Sequence, residues 1–264
     1  MKNRLNRIVF TLSIIGFDAG KFRNFFKGLS FFYRDYQILK KQMKHQNAFS
    51  FGKFFPIMDE RFSESGTMKG HYFHQDLLIA RKVFENNPVR HIDIGSRTDG
   101  FVAHVASFRQ IEIFDIRPME SPVKNIVYRQ ADLMQLPENM LGYCDSLSIL
   151  HVIEHFGLGR YGDPIDIDGH TKAIDNLYLM LKPEGKFYFS TPIGPQRIEF
   201  NAHRVFSIQY LLDILGSRFR VDSFSYVDDV GNLWENVILS DEQIKSNFDC
   251  IYGCGIFELT KLAE

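Results

Sequence analysis

A doubly wound α/β sheet, seven-stranded and mostly parallel, is the fold this sequence predicts. Three observations predict it. From Val89 onward, short apolar runs alternate with amphipathic helical stretches, as parallel strands joined by right-handed crossovers require. The first run, Val89-Arg90-His91-Ile92-Asp93-Ile94-Gly95, ends in an acid and a glycine. The second, Ile111-Glu112-Ile113-Phe114-Asp115, ends in another acid 22 residues after Asp93. Acids and glycines at those points are what a nucleoside-binding sheet needs at the carboxyl ends of its strands.

Two regions differ in charge. Residues 1–53 carry 11 Lys/Arg against two acids, Asp18 and Asp35, and the remainder carries 20 basic and 30 acidic side chains. Residues 1–55 therefore read as a basic, aromatic, helical or irregular extension, and 56–264 as one globular domain. In the extension, Phe22, Phe25, Phe26, Phe31, Phe32 and Tyr33 stand among lysines and arginines. That pattern suits either a cap packed on a domain or an interfacial helix that docks residues 1–50 on an anionic membrane. The apolar stretch Ile8–Phe17 is about ten residues long and includes Thr11 and Ser13, short of the roughly 20 needed to span a bilayer. Lys2, Arg4 and Arg7 precede it as in a signal peptide, but no small-residue cleavage site follows. Net charge is −1, so no nucleic-acid partner is expected. Three cysteines, Cys144, Cys250 and Cys254, make no disulfide framework in a chain this long. They point to a reducing, cytoplasmic setting, peripheral at the inner membrane face if the arm docks there. Cys250 and Cys254 lack a nearby second metal-binding pair and read as small apolar fillers on a C-terminal strand.

The elements follow in order. Gly66 and Gly70 mark a turn before a helix over 74–85, with Leu77, Leu78, Ile79 and Val83 on its apolar side. Asn86-Asn87-Pro88 ends it. Strands are expected near 89–94, 111–115, 125–129, 145–150, 185–191, 219–226 and 252–260, and helices near 99–107, 168–181 and 207–216. Ser146-Leu147-Ser148-Ile149-Leu150 is short and apolar, as a central strand covered on both faces should be. The last two strands have no long helix between them, which suggests an antiparallel hairpin closing one edge.

Such a sheet accommodates a nicotinamide dinucleotide or S-adenosylmethionine. The dinucleotide fingerprint wants G-x-G-x-x-G at the first turn. Here the turn is Gly95-Ser96-Arg97-Thr98-Asp99-Gly100, with Arg97 where the backbone would approach a pyrophosphate. That disfavours a nicotinamide oxidoreductase. A carboxylate ending the second strand, Asp115, can accept charge-assisted hydrogen bonds from both ribose hydroxyls, and Gly95 lets the backbone come near a ligand.

Over about residues 70–260 the chain resembles the class I S-adenosylmethionine-dependent methyltransferases. Asp93-Ile94-Gly95 matches their first motif, Asp115 their ribose-binding acid and Asp132 the acid near the adenine amino group. Leu181-Lys182-Pro183-Glu184-Gly185 is similar to their fifth-strand entry. More narrowly, the stretch from Gly70-His71-Tyr72-Phe73-His74-Gln75-Asp76 through His203-Arg204-Val205-Phe206 resembles an uncharacterised methyltransferase-like family, domain of unknown function 268. Its members often sit among polysaccharide-biosynthesis proteins. The resemblance implies S-adenosyl-L-methionine as cofactor, held by Tyr72, Gln75, Asp93, Gly95, Arg97, Asp115, Ile116, Asp132, Leu133 and His151.

The reacting end is expected after the fourth strand, at His151-Val152-Ile153-Glu154-His155. On a helix, His151, Glu154 and His155 share one face. The order H-x-x-E-H also occurs in zinc proteases, but there it lies inside a longer helix, not at a strand end. Methyltransferases of the small-RNA 2′-O and ubiquinone-pathway groups carry E-x-x-E-H here with a later histidine and hold a divalent ion. The similarity implies His151, Glu154, His155 and His203 as a metal set; without a metal, His155 or His151 is the base that takes the acceptor's proton. The loop 156–170, with Arg160, Tyr161 and Asp163, suits a hydroxylated acceptor, and Arg160, Arg197 and Arg204 suit an anionic group such as a diphosphate. The expected activity is methylation of a hydroxyl on a carbohydrate, glycolipid or nucleotide-linked sugar. The rivals are the oxidoreductase and a non-catalytic adapter of the same fold.

Overall fold

The computed structural model describes residues 16–263 apart from 17, 46, 47, 59, 63, 121, 137 and 138. The apolar stretch Ile8–Phe17 and the charges Lys2, Arg4 and Arg7 before it lie outside them, except for Gly16. The chain divides into two compact units, Met1–Thr67 and Met68–Glu264. Among the described residues no helix is long and apolar enough to cross a membrane.

The first unit is built on helix α1, Ala19–Gln42. Asp18 caps it by accepting from the Gly20 and Lys21 amides, which satisfies two of the donors a helix start leaves open. Gly28 lets the segment after α1 approach, since a Cβ there would lie 2.5 Å from Met58 Cβ. Phe31 meets Phe62 edge-on, and Tyr36 meets Phe51 and Phe54. Phe22, Phe25, Phe26 and Tyr33 remain exposed on the same helix.

The second unit is the expected sheet with helices on both faces. Helix α2, His71–Asn86, leads into strand β1, His91–Ile94. A five-residue π turn, Thr98–Val102, and the short helix α3, Ala103–Ala106, come next, then β2, Ile111–Asp115, and β3, Ile126–Gln130. Strand β4, Cys144–Leu150, passes through a 3-10 turn, Ile153–His155, and a loop to α4, Gly169–Met180. After β5, Leu181–Ile193, come the hairpin β6, Arg197–Glu199, and β7, His203–Val205, and helix α5, Ile208–Leu215. The chain closes with β8, Phe219–Val227, β9, Leu233–Trp234, helix α6, Asp241–Ser246, and β10, Gly253–Lys261.

The strand order is β3-β2-β1-β4-β5-β10-β8-β9. The first five are parallel, and β10 runs antiparallel between β5 and β8. One expectation changes: the sheet has eight strands rather than seven, because the two-residue β9 pairs with β8 at Tyr226 and Val227. The expected antiparallel pair closes that side of the sheet, with β10 beside β5, where its run from Gly253 to Leu259 is almost wholly buried, and β8 outside it. Alternation along β5 divides the core. Phe187 and Phe189 join the cluster under α4 and α5, and Tyr188 joins the one under α2 and α3.

Register also places polar side chains inside. His91 and Asp93 on β1 face Ser146 and Ser148 on β4. The His91 ring lies between the two hydroxyls, at 2.8 Å from Ser146 Oγ and 3.2 Å from Ser148 Oγ. Burial pushes its pKa down to about 3. A histidine held neutral in the fold contributes stability that is complete above the unfolded value of 6.5 and is lost as pH falls toward 3. In that window this residue should cost about 1.4 kcal/mol per pH unit, one proton bound only by the unfolded chain. Urea unfolding at several pH values should therefore show a shallower acid slope for His91→Asn than for the parent, and equal slopes would refute the assignment.

Candidate functional site

The carboxyl ends of β1, β2, β3 and β4 open onto two adjoining cavities. The narrower is lined by Gly95, Asp115, Ile116, Asp132, Leu133 and His155, with Phe114 and Val152 among the apolar walls. The wider, of about 710 Å³, runs from the Gly95–Asp99 turn past Asp115 and His155 to Tyr72, His203 and Tyr252.

The turn after β1 depends on Gly95 and Asp93. Gly95 has φ +64°, and a Cβ there would lie 2.8 Å from Val152 Cγ1, so a side chain would meet both backbone strain and the β4 loop. Asp93 is fully buried. Its carboxylate accepts from the Ser96 amide at 3.0 Å, from Ser96 Oγ at 2.7 Å and from Ser148 Oγ at 2.6 Å. Burial pushes it up to about 7 despite these donors. Asp93 lines neither cavity, so it braces the turn from behind instead of touching a ligand. Gln75 is corrected in the same way. It is buried, accepts from Ser190 Oγ at 2.6 Å and donates to Asp76 at 3.2 Å, and does not reach either cavity.

Asp115 and Asp132 do face the narrower cavity, with Ile116 and Leu133 beside them. Arg117 grips Asp115 through Nε at 3.0 Å and Nη2 at 2.6 Å, and its guanidinium lies 4.5 Å from the Tyr161 ring centre. Asp115 Oδ1 also accepts from the Arg117 amide at 2.9 Å, so Oδ2 is the oxygen that keeps a lone pair for a further donor. Arg97 turns its guanidinium to Asp99 and over the Tyr72 ring, 5.0 Å from its centre. It thereby leaves the backbone of the turn open along the wider cavity.

The segment after β4 is not the helix expected. His151 takes φ +56°, and only Ile153–His155 form a 3-10 turn. That geometry still brings the three polar residues together. His151 Nδ1 is 2.9 Å from Glu154 Oε1, and His155 Nε2 is 3.8 Å from the same oxygen. Thr191 Oγ1 donates to Glu154 Oε2 at 3.3 Å. Burial opposes charge on both members of the first pair. The Cys254 sulfur and Glu154 nonetheless raise His151 well above the usual histidine range, and His151 in turn lowers Glu154. His155 behaves differently: burial lowers it, and its Nδ1 donates to the Ala202 carbonyl at 2.7 Å. The other nitrogen, Nε2, is therefore left with a lone pair beside Glu154.

The expected quartet of metal ligands does not converge. His203 lies near His155, ring centres 6.5 Å apart, but its Nε2 turns to Glu199 at 3.2 Å. Glu154 is already occupied by His151 and Thr191. Arg197 and Arg204 line neither of the two cavities; they border a third, with Asp168, His170 and Tyr210. Arg197 donates to the Pro195 and Ile251 carbonyls, and buried Arg204 donates to the Phe156 and Ile167 carbonyls. Both hold loops together away from the two cavities. Arg160 and Tyr161 line the wider cavity, and Asp163 lines the narrower one while accepting from the Gly159 and Tyr161 amides.

Sequence reasoning missed His71, Arg117, Tyr252 and Cys254. The His71 ring stacks on His151 with centres 5.1 Å apart, and Tyr252 lies 5.4 Å from His71. Burial pushes His71 down to about 4. These neighbours come from α2, from the end of β4 and from β10, so no local spacing signalled them.

Comparison with known proteins agrees with this geometry. The family described as "Caenorhabditis protein of unknown function, DUF268" matches residues 105–246. No curated protein matches the chain. Among solved structures, the Burkholderia thailandensis 1,6-didemethyltoxoflavin-N1-methyltransferase, bound to 1,6-didemethyltoxoflavin and S-adenosylhomocysteine, is similar at TM-score 0.51 and 13% identity, covering 72% of this chain and 79% of that one. The [4+2]-cyclase SpnF is similar at TM-score 0.51 and 14% identity, covering 72% and 82%. Bacillus subtilis YcgJ is similar at TM-score 0.50 and 13% identity, covering 72% and 99%. At such identities the likeness is one of fold, the class I methyltransferase fold.

Proposed function

We propose that this chain, which belongs to the DUF268 family and has the class I methyltransferase fold, is an S-adenosylmethionine-dependent methyltransferase acting on a hydroxylated acceptor of the carbohydrate class. The observation that carries the reading is the pair of adjoining cavities at the strand ends, with Asp115 and Asp132 in one and His155 in both. In this reading Asp115 accepts from the ribose hydroxyls. Ile116 and Leu133 flank the base, with Asp132 at its edge. The Gly95 turn passes the methionine moiety.

Transfer of methyl from sulfonium to oxygen is an in-line displacement, and the acceptor's proton has to leave. His155 is the base. Its Nδ1 is committed to the Ala202 carbonyl, so Nε2 receives the proton, and the charge then develops 3.8 Å from the Glu154 carboxylate. Arg160 and Tyr161 supply the polar and aromatic contacts a sugar uses. A cyclase shares the fold, so fold alone does not fix the reaction and cofactor binding is the first test. Calorimetry with S-adenosylhomocysteine should give one site, and Asp115→Ala should weaken it by about 1.5–3 kcal/mol, the usual loss for a hydrogen bond to a charged group. Arg117→Ala, which frees Asp115, should bind at least as tightly as the parent. Unchanged affinity in Asp115→Ala would remove the ribose assignment.

The arm serves to hold the protein at an anionic membrane. Support comes from the exposed Phe22, Phe25 and Phe26 beside exposed Lys21, Arg23 and Lys27 on α1. The full chain should sediment with phosphatidylserine vesicles at low salt, where screening is weakest. The triple change Lys21→Glu, Arg23→Glu, Lys27→Glu should abolish that sedimentation and leave S-adenosylhomocysteine binding intact. A parent protein that ignores the vesicles at low salt would make the arm purely structural.

A further inference from the structure

We propose that His71, His151 and Cys254 form a metal site of the zinc class, opening onto the wider cavity. The inference goes beyond the methyl-transfer reading and does not depend on it. A ring nitrogen of each histidine and Cys254 Sγ lie within 4.8 Å of one another, and among the described residues this is the group of His, Cys and acidic side chains that could hold a metal ion. The three come from the start of α2, the end of β4 and the second residue of β10. The fold itself brings them together, since no sequence-local motif links them.

The strongest observation is at His151. Its side chain is 3% exposed, and its Nε2 is buried with no hydrogen-bond partner. Burying an unsatisfied polar atom is costly, and each such atom calls for an explanation. Its other nitrogen is bound to Glu154 Oε1 at 2.9 Å. That is the arrangement a metal-bound imidazole adopts: a carboxylate takes one ring N–H, fixes the tautomer and aims the remaining lone pair at the ion. Glu154 is itself fixed, by Thr191. His71 is held flat against His151 by stacking at an interplanar angle of 22°, so the two rings stand side by side. Cys254 is a free, fully buried thiol that donates weakly to Gln75 Oε1 at 3.7 Å.

The donor set decides the metal. Two imidazoles and one thiolate suit zinc, whereas calcium and magnesium want oxygen ligands. Binding leaves Cys254 as a thiolate and His151 neutral, forms one metal–sulfur and two metal–nitrogen bonds, and releases to solvent the protons that the thiol and the His151 imidazolium carried. Three protein ligands leave a fourth position for water or an acceptor atom. His151 lines the wider cavity together with Tyr72 and Tyr252, so the site lies against the wall of the cleft. The site differs from the quartet read from the sequence: it keeps His151, uses Glu154 as the group that orients it, and takes its remaining ligands from α2 and β10.

The test uses the full chain, stripped with chelator and titrated with cobalt(II) alone and then zinc(II) alone. One equivalent of cobalt should bind and give a thiolate-to-cobalt charge-transfer band that zinc displaces. Cys254→Ser should abolish the band, and Cys250→Ser and Cys144→Ser should keep it. Glu154→Gln should retain the band with affinity about 10–100-fold weaker, the usual cost of losing a ligand's orienting partner. Thermal unfolding without metal reports whether each variant folds. Should Cys254→Ser fail that check, His71→Gln, at the half-buried start of α2, should weaken binding at least tenfold. A folded parent that gives no charge-transfer band overturns the site. So does a band that follows Cys250 or Cys144, or affinity unchanged in both Cys254→Ser and His71→Gln.

Discussion

The buried carboxylate of Glu154 is the constraint on which the site depends. An ionised group taken out of water costs several kcal/mol unless partners replace the solvent. Glu154 is 1% exposed and has three such neighbours, His151, His155 and Thr191. Each is placed by the central strands. The His151 amide still bonds the Ser190 carbonyl as the last rung between β4 and β5, at 3.0 Å. The backbone then turns through positive φ at His151 and folds into a single 3-10 turn that returns Glu154 beneath the imidazole. Thr191 on β5 meets the carboxylate from the other side.

That turn lies where the strand order reverses. β1 has β2 on one side and β4 on the other, and open α/β sheets bind ligands at such a point, outside the carboxyl ends of their strands. The two directions then serve two purposes. Toward β2 and β3, the acids Asp115 and Asp132 border the narrower cavity. Toward β5 and β10, histidines and Cys254 gather beside the wider one. Asp93 joins the two sides from behind, because its carboxylate bonds both the turn at Ser96 and β4 at Ser148.

Much of this was legible in the sequence, for physical reasons that differ by element. The central strands are apolar on both faces, so their runs stand out. Asp115 and Asp132 were legible because a strand end followed by an acid is a local pattern. Asp93 and Gln75 were recognisable as motif residues, yet their roles follow from burial, and pairing with Ser148 and Ser190 depends on strand register. Arg197 and Arg204 looked like anion binders because an arginine's partners are unreadable until loop closure shows which carbonyls it meets. Cys254 looked like a filler because His71 and His151 reach it only through tertiary packing. The eighth strand is two residues long, too short to leave a period.

In the proposed reading, the ends of β1 to β4 hold a nucleoside whose reacting atom lies beside the Glu154 turn. A crystal structure with S-adenosylhomocysteine tests it most directly. The ribose hydroxyls should lie within hydrogen-bond reach of Asp115, roughly 2.6–3.2 Å, with the adenine between Ile116 and Leu133 and the sulfur facing His155. A ligand bound away from Asp115, or with its sulfur turned from His155 toward open solvent, would contradict it.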